Sequence, residues 1–158
     1  MTERFEVSRT IPADPGAIFR VLSDPQGHVA IDSSGMLQDA TGERVKATGD
    51  RFVVHMDREA LNDMPMGKYD VQVTIRTFEP DREVAWDIGG VGADPIGHYY
   101  GFRLEPAEAG TLVTHYYDWS GIPESWKPRF PILAELNLRA TLGILERTVN
   151  RGYPGATA

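Results

Sequence analysis

The chain has 158 residues, no cysteine and a formal net charge of -7, with 41% apolar residues and 25% charged residues of mixed sign. This is the length of one domain, enough to bury a sizeable core or a core with a hole in it. The composition excludes disulfides, thiolate nucleophiles and Cys-ligated zinc, and the acidic balance speaks against nucleic acid and against docking on an anionic membrane.

Phe5-Glu6-Val7-Ser8-Arg9-Thr10-Ile11 alternates apolar with polar, the period-2 pattern of a half-buried strand. Asp14-Pro15 then sets an N-cap residue before a proline at the first helical position, with Ile18, Phe19, Val21 and Leu22 at helical spacing. Asp24-Pro25 stops that helix and starts a short second one through His28-Val29-Ala30-Ile31. From Met36 onward the pattern predicts a meander of strands over 36–45, 51–56, 68–78, 83–88, 98–104 and 111–119, with turn residues between them. Gly89 to Gly97 reads as a flexible loop beside a cavity mouth. The last element spans Pro128 to Asn150, about 22 residues or roughly 33 Å of helix. Glu135, Arg139 and Glu146 share its one charged stripe, so the helix is expected to be buried on nearly every other side. Asn137, Thr141 and Thr148 fall opposite that stripe. The threonines are explained by bonds back to the carbonyl four residues earlier, whereas Asn137 needs either a neighbouring strand or a wet cavity.

Strict alternation fixes which strand residues face inward. Tyr69, Val71, Val73 and Ile75 form one inward set, Val84, Trp86 and Ile88 the next, and Phe52, Val54 and Met56 a third, which leaves His55 on the solvent side. In the final hairpin the face carrying Phe102 and Leu104 also carries His98 and Tyr100. With the turn centred near Ala107-Glu108, Tyr100 faces His115 and His98 faces Tyr117, and Trp119 shares their face. This cross-strand patch is the best candidate site. One reading makes it an aromatic ladder satisfied locally, another makes it the lining of a ligand cavity, and a third gives its His and Tyr acid/base work. No HExxH spacing, phosphate-binding GxxxxGK[ST], dinucleotide GxGxxG or GxSxG elbow occurs, so no metal and no cofactor are expected.

Several segments resemble the START/Bet v 1-like (SRPBCC) superfamily, particularly its bacterial polyketide cyclase/dehydrase and lipid-transport branch. They are residues 5–13 leading to Ile18-Phe19-Arg20-Val21-Leu22-Ser23-Asp24-Pro25, then Asp32-Ser33-Ser34-Gly35, and Gly110-Thr111-Leu112-Val113-Thr114-His115. The resemblance implies an α+β helix-grip fold: about seven strands in the order β-α-α-β6-α, a curved antiparallel sheet around the C-terminal helix. A hydrophobic ligand such as a lipid or polyketide would lie between sheet and helix. One domain over 1–152 and a flexible tail over 153–158 follow. The leading expectation is binding, with transport as its extension. Tyr69, Trp86, Tyr100, Phe102 and Trp119 supply apolar wall, and His98, His115, Tyr117 and Asn137 supply orientation. Two alternatives stand beside it. One is a cyclase, aromatase or dehydratase whose rate rises with pH through the imidazole pKa. The other is a chaperone-regulating scaffold whose cavity is plugged by its own side chains. No apolar run approaches the ~20 residues of a membrane span and Met1-Thr2-Glu3-Arg4 lacks a signal peptide's apolar stretch, so a cytoplasmic monomer or homodimer without membrane insertion is expected.

Overall fold

The chain's opening alternation forms β1 (Arg4–Ile11), and the two Asp-Pro pairs open α1 (Pro15–Leu22) and α2 (Pro25–Ala30). The meander follows as β2 (Leu37–Thr41), β3 (Arg51–Asp57), β4 (Lys68–Glu79), β5 (Glu83–Gly89), β6 (Pro95–Ala107) and β7 (Gly110–Asp118), and α3 (Glu135–Asn150) ends the fold. The computed structural model describes residues 2–154. All seven strands form one antiparallel sheet in the order β1-β7-β6-β5-β4-β3-β2, so the first strand closes against the last. Register shifts between Leu37 and Asp39, Ile75 and Thr77, and Asp87 and Gly89 mark bulges, which bend a sheet. This is an α+β helix-grip architecture. Among the described residues no helix is long and apolar enough to cross a membrane.

The two Asp-Pro pairs set the starts of the short helices in different ways. Asp24 Oδ1 accepts from the Gln26 amide at 3.0 Å and so caps α2. Asp14 caps α1 by position only, without a side-chain bond. The predicted loop over 89–97 is shorter, because Pro95, Ile96 and Gly97 belong to β6.

Two expectations are corrected here. The C-terminal helix begins at Glu135, not Pro128, and its 16 residues give ~24 Å rather than the longer span. Pro131 lacks an amide hydrogen and pushes Phe130 into an extended conformation (φ -114, ψ 152), so residues 124–129 form only a 3₁₀ turn. Nor is α3 enclosed on most sides: Leu138, Leu142 and Leu145 are its buried residues, while Leu136 stands 74% exposed. It packs on β1, β7 and α1.

The second correction concerns the β6–β7 hairpin. Gly110 at φ 135 pairs with Ala107, which leaves a two-residue turn at Glu108-Ala109. Moving the turn centre by one residue slides every pairing by two. Tyr100 therefore faces Tyr117, and His115 faces Phe102.

Tyr153, at the start of the predicted tail, donates from its hydroxyl to Asp24 Oδ2 at 2.9 Å. Residues 155–158 of that tail lie outside the described residues.

Candidate functional site

A cavity of about 740 Å³ opens between the concave sheet face and the segments that roof it. From the sheet come Tyr69, Val71 and Val73 of β4, Trp86 and Ile88 of β5, the alternate residues 96, 98, 100 and 102 of β6, and His115 of β7. Alternation puts these on one face, as the apolar pattern requires. The roof has three parts: Ile31 to Leu37 after α2, Met64-Pro65-Met66, and Trp126 to Leu133 ahead of α3. Helix α3 contributes Thr141 alone, so the cavity lies under the segment preceding the helix rather than under the helix itself.

Six of the nine candidate residues share this wall: Tyr69, Trp86, His98, Tyr100, Phe102 and His115. Tyr117 and Trp119 do not line it; both are buried and back the wall. Tyr100 stacks on Tyr117 at 4.2 Å and on Trp86 at 5.9 Å, while Phe102 stacks on His115 at 3.9 Å. Ladder and lining are thus two sides of one structure.

Asn137 is the third that does not line the cavity. Its Oδ1 accepts the Ala134 amide at 3.0 Å, which closes the start of α3, and its own carbonyl accepts from Ser33 Oγ at 2.7 Å. Of the two threonines, Thr148 bonds back to the Ile144 carbonyl at 2.7 Å, whereas Thr141 donates to Ser33 Oγ at 2.9 Å. His55 sits on the solvent face, between Asp70 Oδ1 at 2.8 Å and Thr41 Oγ1 at 2.7 Å.

Of the three charged side chains that line the cavity, Asp32 and Arg58 are engaged by other groups, and Arg129 is exposed. Asp32 accepts from Ser34 (amide and hydroxyl), Gly35 and Leu37. Arg58, 6% exposed, donates to both carboxylate oxygens of Asp63 at 2.9 and 2.8 Å, and this holds the Asp63 carboxyl below its usual range. Three histidines line the wall, and burial pushes each imidazole down to about 4. His28 is held by the Leu22 carbonyl at 2.9 Å, His98 by Tyr117 Oη at 2.7 Å and His115 by the Gly101 carbonyl at 2.8 Å. All three are neutral through the physiological range. Burial also raises the Tyr100 and Tyr117 hydroxyls, so both stay protonated. Among the described residues no group of three or more His, Asp or Glu is placed to hold a metal ion. The sheet side of the cavity is apolar and uncharged, with a few hydrogen-bonding edges.

Sequence reasoning missed His28, Arg58 and the whole roof. Helix α2 has only six residues, too few for periodicity to show that His28 turns inward. Met64-Pro65-Met66 carries no periodic signal at all. Phe130 and Ile132 fall inside the span predicted as helix, Trp126 lies just ahead of it, and only Pro128 and Pro131 betray a roof there.

Three comparisons bear on this architecture. The family model described as polyketide cyclase/dehydrase and lipid transport matches residues 2–150. No functionally curated protein matches. Solved structures with the same fold include protein CV1439 from Chromobacterium violaceum, 16% identical with a TM-score of 0.66 over 93% of this chain and 97% of that one. An AHSA1-like protein from Aeromonas hydrophila is 19% identical, TM-score 0.63, over 93% and 92%. Protein Ms6760 from Mycobacterium smegmatis is 14% identical, TM-score 0.66, over 94% and 92%. Identities this low speak for the fold alone.

Proposed function

Because the chain belongs to the polyketide cyclase/dehydrase and lipid-transport family of START/Bet v 1-like (SRPBCC) proteins, we propose that it binds, and carries, an apolar small molecule of lipid or polyketide type in this cavity. The carrying observation is the cavity itself, whose 740 Å³ falls inside the ~300–1,000 Å³ range of small-molecule pockets. Held as a dry void, it would cost on the order of 18 kcal/mol at ~24 cal/mol per Å³, more than the ~5–15 kcal/mol of a whole domain. Water or a guest therefore fills it. The apolar lining favours a guest, since burying apolar surface yields roughly 25 cal/mol per Å². The plugged scaffold is disfavoured, because the protein's own side chains leave this space open.

A cyclase reading would use the same wall, but with a shifted pH signature. An imidazole held near 4 is already a free base above pH 5. Turnover by such a base would be flat from pH 5 to 8 and rise near pH 4, rather than through 6.5.

Native mass spectrometry of the freshly purified protein, beside a solvent-extracted sample, tests the binding reading. Extra mass that vanishes on extraction is expected, and the extracted protein should take up the uncharged fluorophore N-phenyl-1-naphthylamine. Ile88→Trp puts an indole into the cavity and should abolish both signals while the folded circular dichroism spectrum persists. A clean mass together with no fluorophore uptake by the wild type would sink the proposal.

A further inference from the structure

The exposed members of the cavity lining come from two roof segments: Pro65 and Met66 from one, Trp126 and Arg129 from the other. Residues that belong both to the lining and to the protein surface stand where the cavity meets solvent, so these four mark its mouth. Three of them are apolar, with Met66 48% and Trp126 44% exposed, and an indole suits a boundary that is wet on one side. The fourth carries a full positive charge.

That charge is unspent. Arg58, the other cation of the lining, donates to both carboxylate oxygens of Asp63. Lys127, two residues before Arg129, is anchored on Glu3 Oε1 at 2.6 Å and on the Ser120 carbonyl at 3.1 Å. Among the described residues Arg129 makes no ion pair and no side-chain hydrogen bond. The acid of the lining, Asp32, already accepts from Ser34, Gly35 and Leu37. Further in, the sheet side is apolar, and a charge carried there would lose its hydration without meeting a counter-charge.

We infer that the guest is an acidic amphiphile, whose apolar body fills the cavity while a single carboxylate stays at the mouth and pairs with the Arg129 guanidinium. This rests on the binding reading above and names the class of ligand. The planar guanidinium presents a fork of donors that fits the two oxygens of a carboxylate. One unspent cation balances one negative charge, whereas a phosphate monoester would bring ~1.5–2. The net charge of -7 opposes any acid from a distance, and direct contact at Arg129 is what outweighs it.

Decanoate, decan-1-ol and decyltrimethylammonium share one chain and differ in the head group. Each, kept below its micelle concentration, competes with N-phenyl-1-naphthylamine for the extracted full chain, as wild type, Arg129→Gln and Arg129→Lys. The decanoate-to-decanol affinity ratio should be about fivefold higher in the wild type than in Arg129→Gln, a comparison that cancels the probes' different solubilities. Arg129→Lys should keep part of that gain, and the gap between wild type and Arg129→Gln should close between ~0.01 and ~1 M salt. Decyltrimethylammonium should bind the wild type more weakly than decanoate does, an order that needs no variant to fold. Equal ratios in wild type and Arg129→Gln, or the cation binding the wild type tighter than decanoate, overturn the assignment and leave the cavity's binding role intact. So does a wild type that takes up the fluorophore and releases it to none of the three. If the wild type takes up neither the fluorophore nor any amphiphile, the binding reading itself has failed.

Discussion

Taking the protein from pH 7 to pH 5 is expected to remove about 6 kcal/mol of stability, most of what a domain of this size holds. The three cavity-wall histidines cause this. Burial lowers each folded-state pKa to about 4, below the ordinary 6.5. The unfolded chain therefore takes up protons that the folded chain refuses. Stability from these groups is complete above pH 6.5 and drains away as pH falls toward 4. At pH 5 each imidazole accounts for about 2 kcal/mol. Asp24 lies near His28 and raises its pKa slightly, while His28 in turn depresses His115, so the three do not titrate independently. Carboxylates held low by their partners, among them Glu6 and Asp118, lose their contribution only at more acid pH. The interval from 6.5 to 5 therefore belongs to histidine. Urea denaturation at pH 7, 6 and 5 reads the effect as a falling midpoint, and His28→Gln should cost stability at pH 7 yet remove about a third of the acid loss. Equal midpoints at pH 7 and pH 5 would mean that water reaches these rings in the folded protein. The same neutrality keeps the sheet side of the cavity uncharged at physiological pH, as suits an apolar guest.

What the sequence made legible follows from how local each signal is. Alternation in β4, β5 and β6 is written residue by residue, so the inward positions of Tyr69, Trp86, His98, Tyr100 and Phe102 could be read directly. Pairing between strands is less local. It hinged on Gly110 taking positive φ, and a one-residue error in the turn moved His115 from Tyr100 to Phe102. The start of α3 was hidden by Ile132 and Leu133, whose spacing continues the helical pattern backward, although Pro131 forbids it. With the start known, Asn137 reads as the residue three beyond Ala134, a capping position, and its supposed place on a wet apolar face disappears. The roof was not legible at all. Arg58, Met66 and Trp126 face the cavity because the chain closes over the sheet there, and no periodicity records that closure.

Replacing Gly27 by alanine is expected to cost about 3 kcal/mol, against the direction that helix propensity dictates. In an exposed helix the change would gain about 0.5–1 kcal/mol, since glycine loses more backbone freedom on folding. Here a Cβ on Gly27 would land on the Val21 carbonyl oxygen and lie 2.8 Å from its carbonyl carbon. That obstacle is backbone at the end of α1, so no rotamer change relieves it. The two short helices must move apart, and α2 takes with it His28, whose Nε2 holds the Leu22 carbonyl and whose ring packs against Trp86 at 4.5 Å. Gly16 is the natural comparison, because a Cβ there meets only the Asp81 carboxylate oxygens at 3.8 and 3.9 Å. Gly16→Ala should stay within about 0.5 kcal/mol of the wild type or stabilise it slightly. Paired thermal and urea denaturation of the two variants separates sterics from propensity, and a Gly27→Ala protein as stable as Gly16→Ala would refute the steric account. Since α2 leads directly into the roof at Ile31, Gly27→Ala should also weaken uptake of N-phenyl-1-naphthylamine while Gly16→Ala leaves it unchanged.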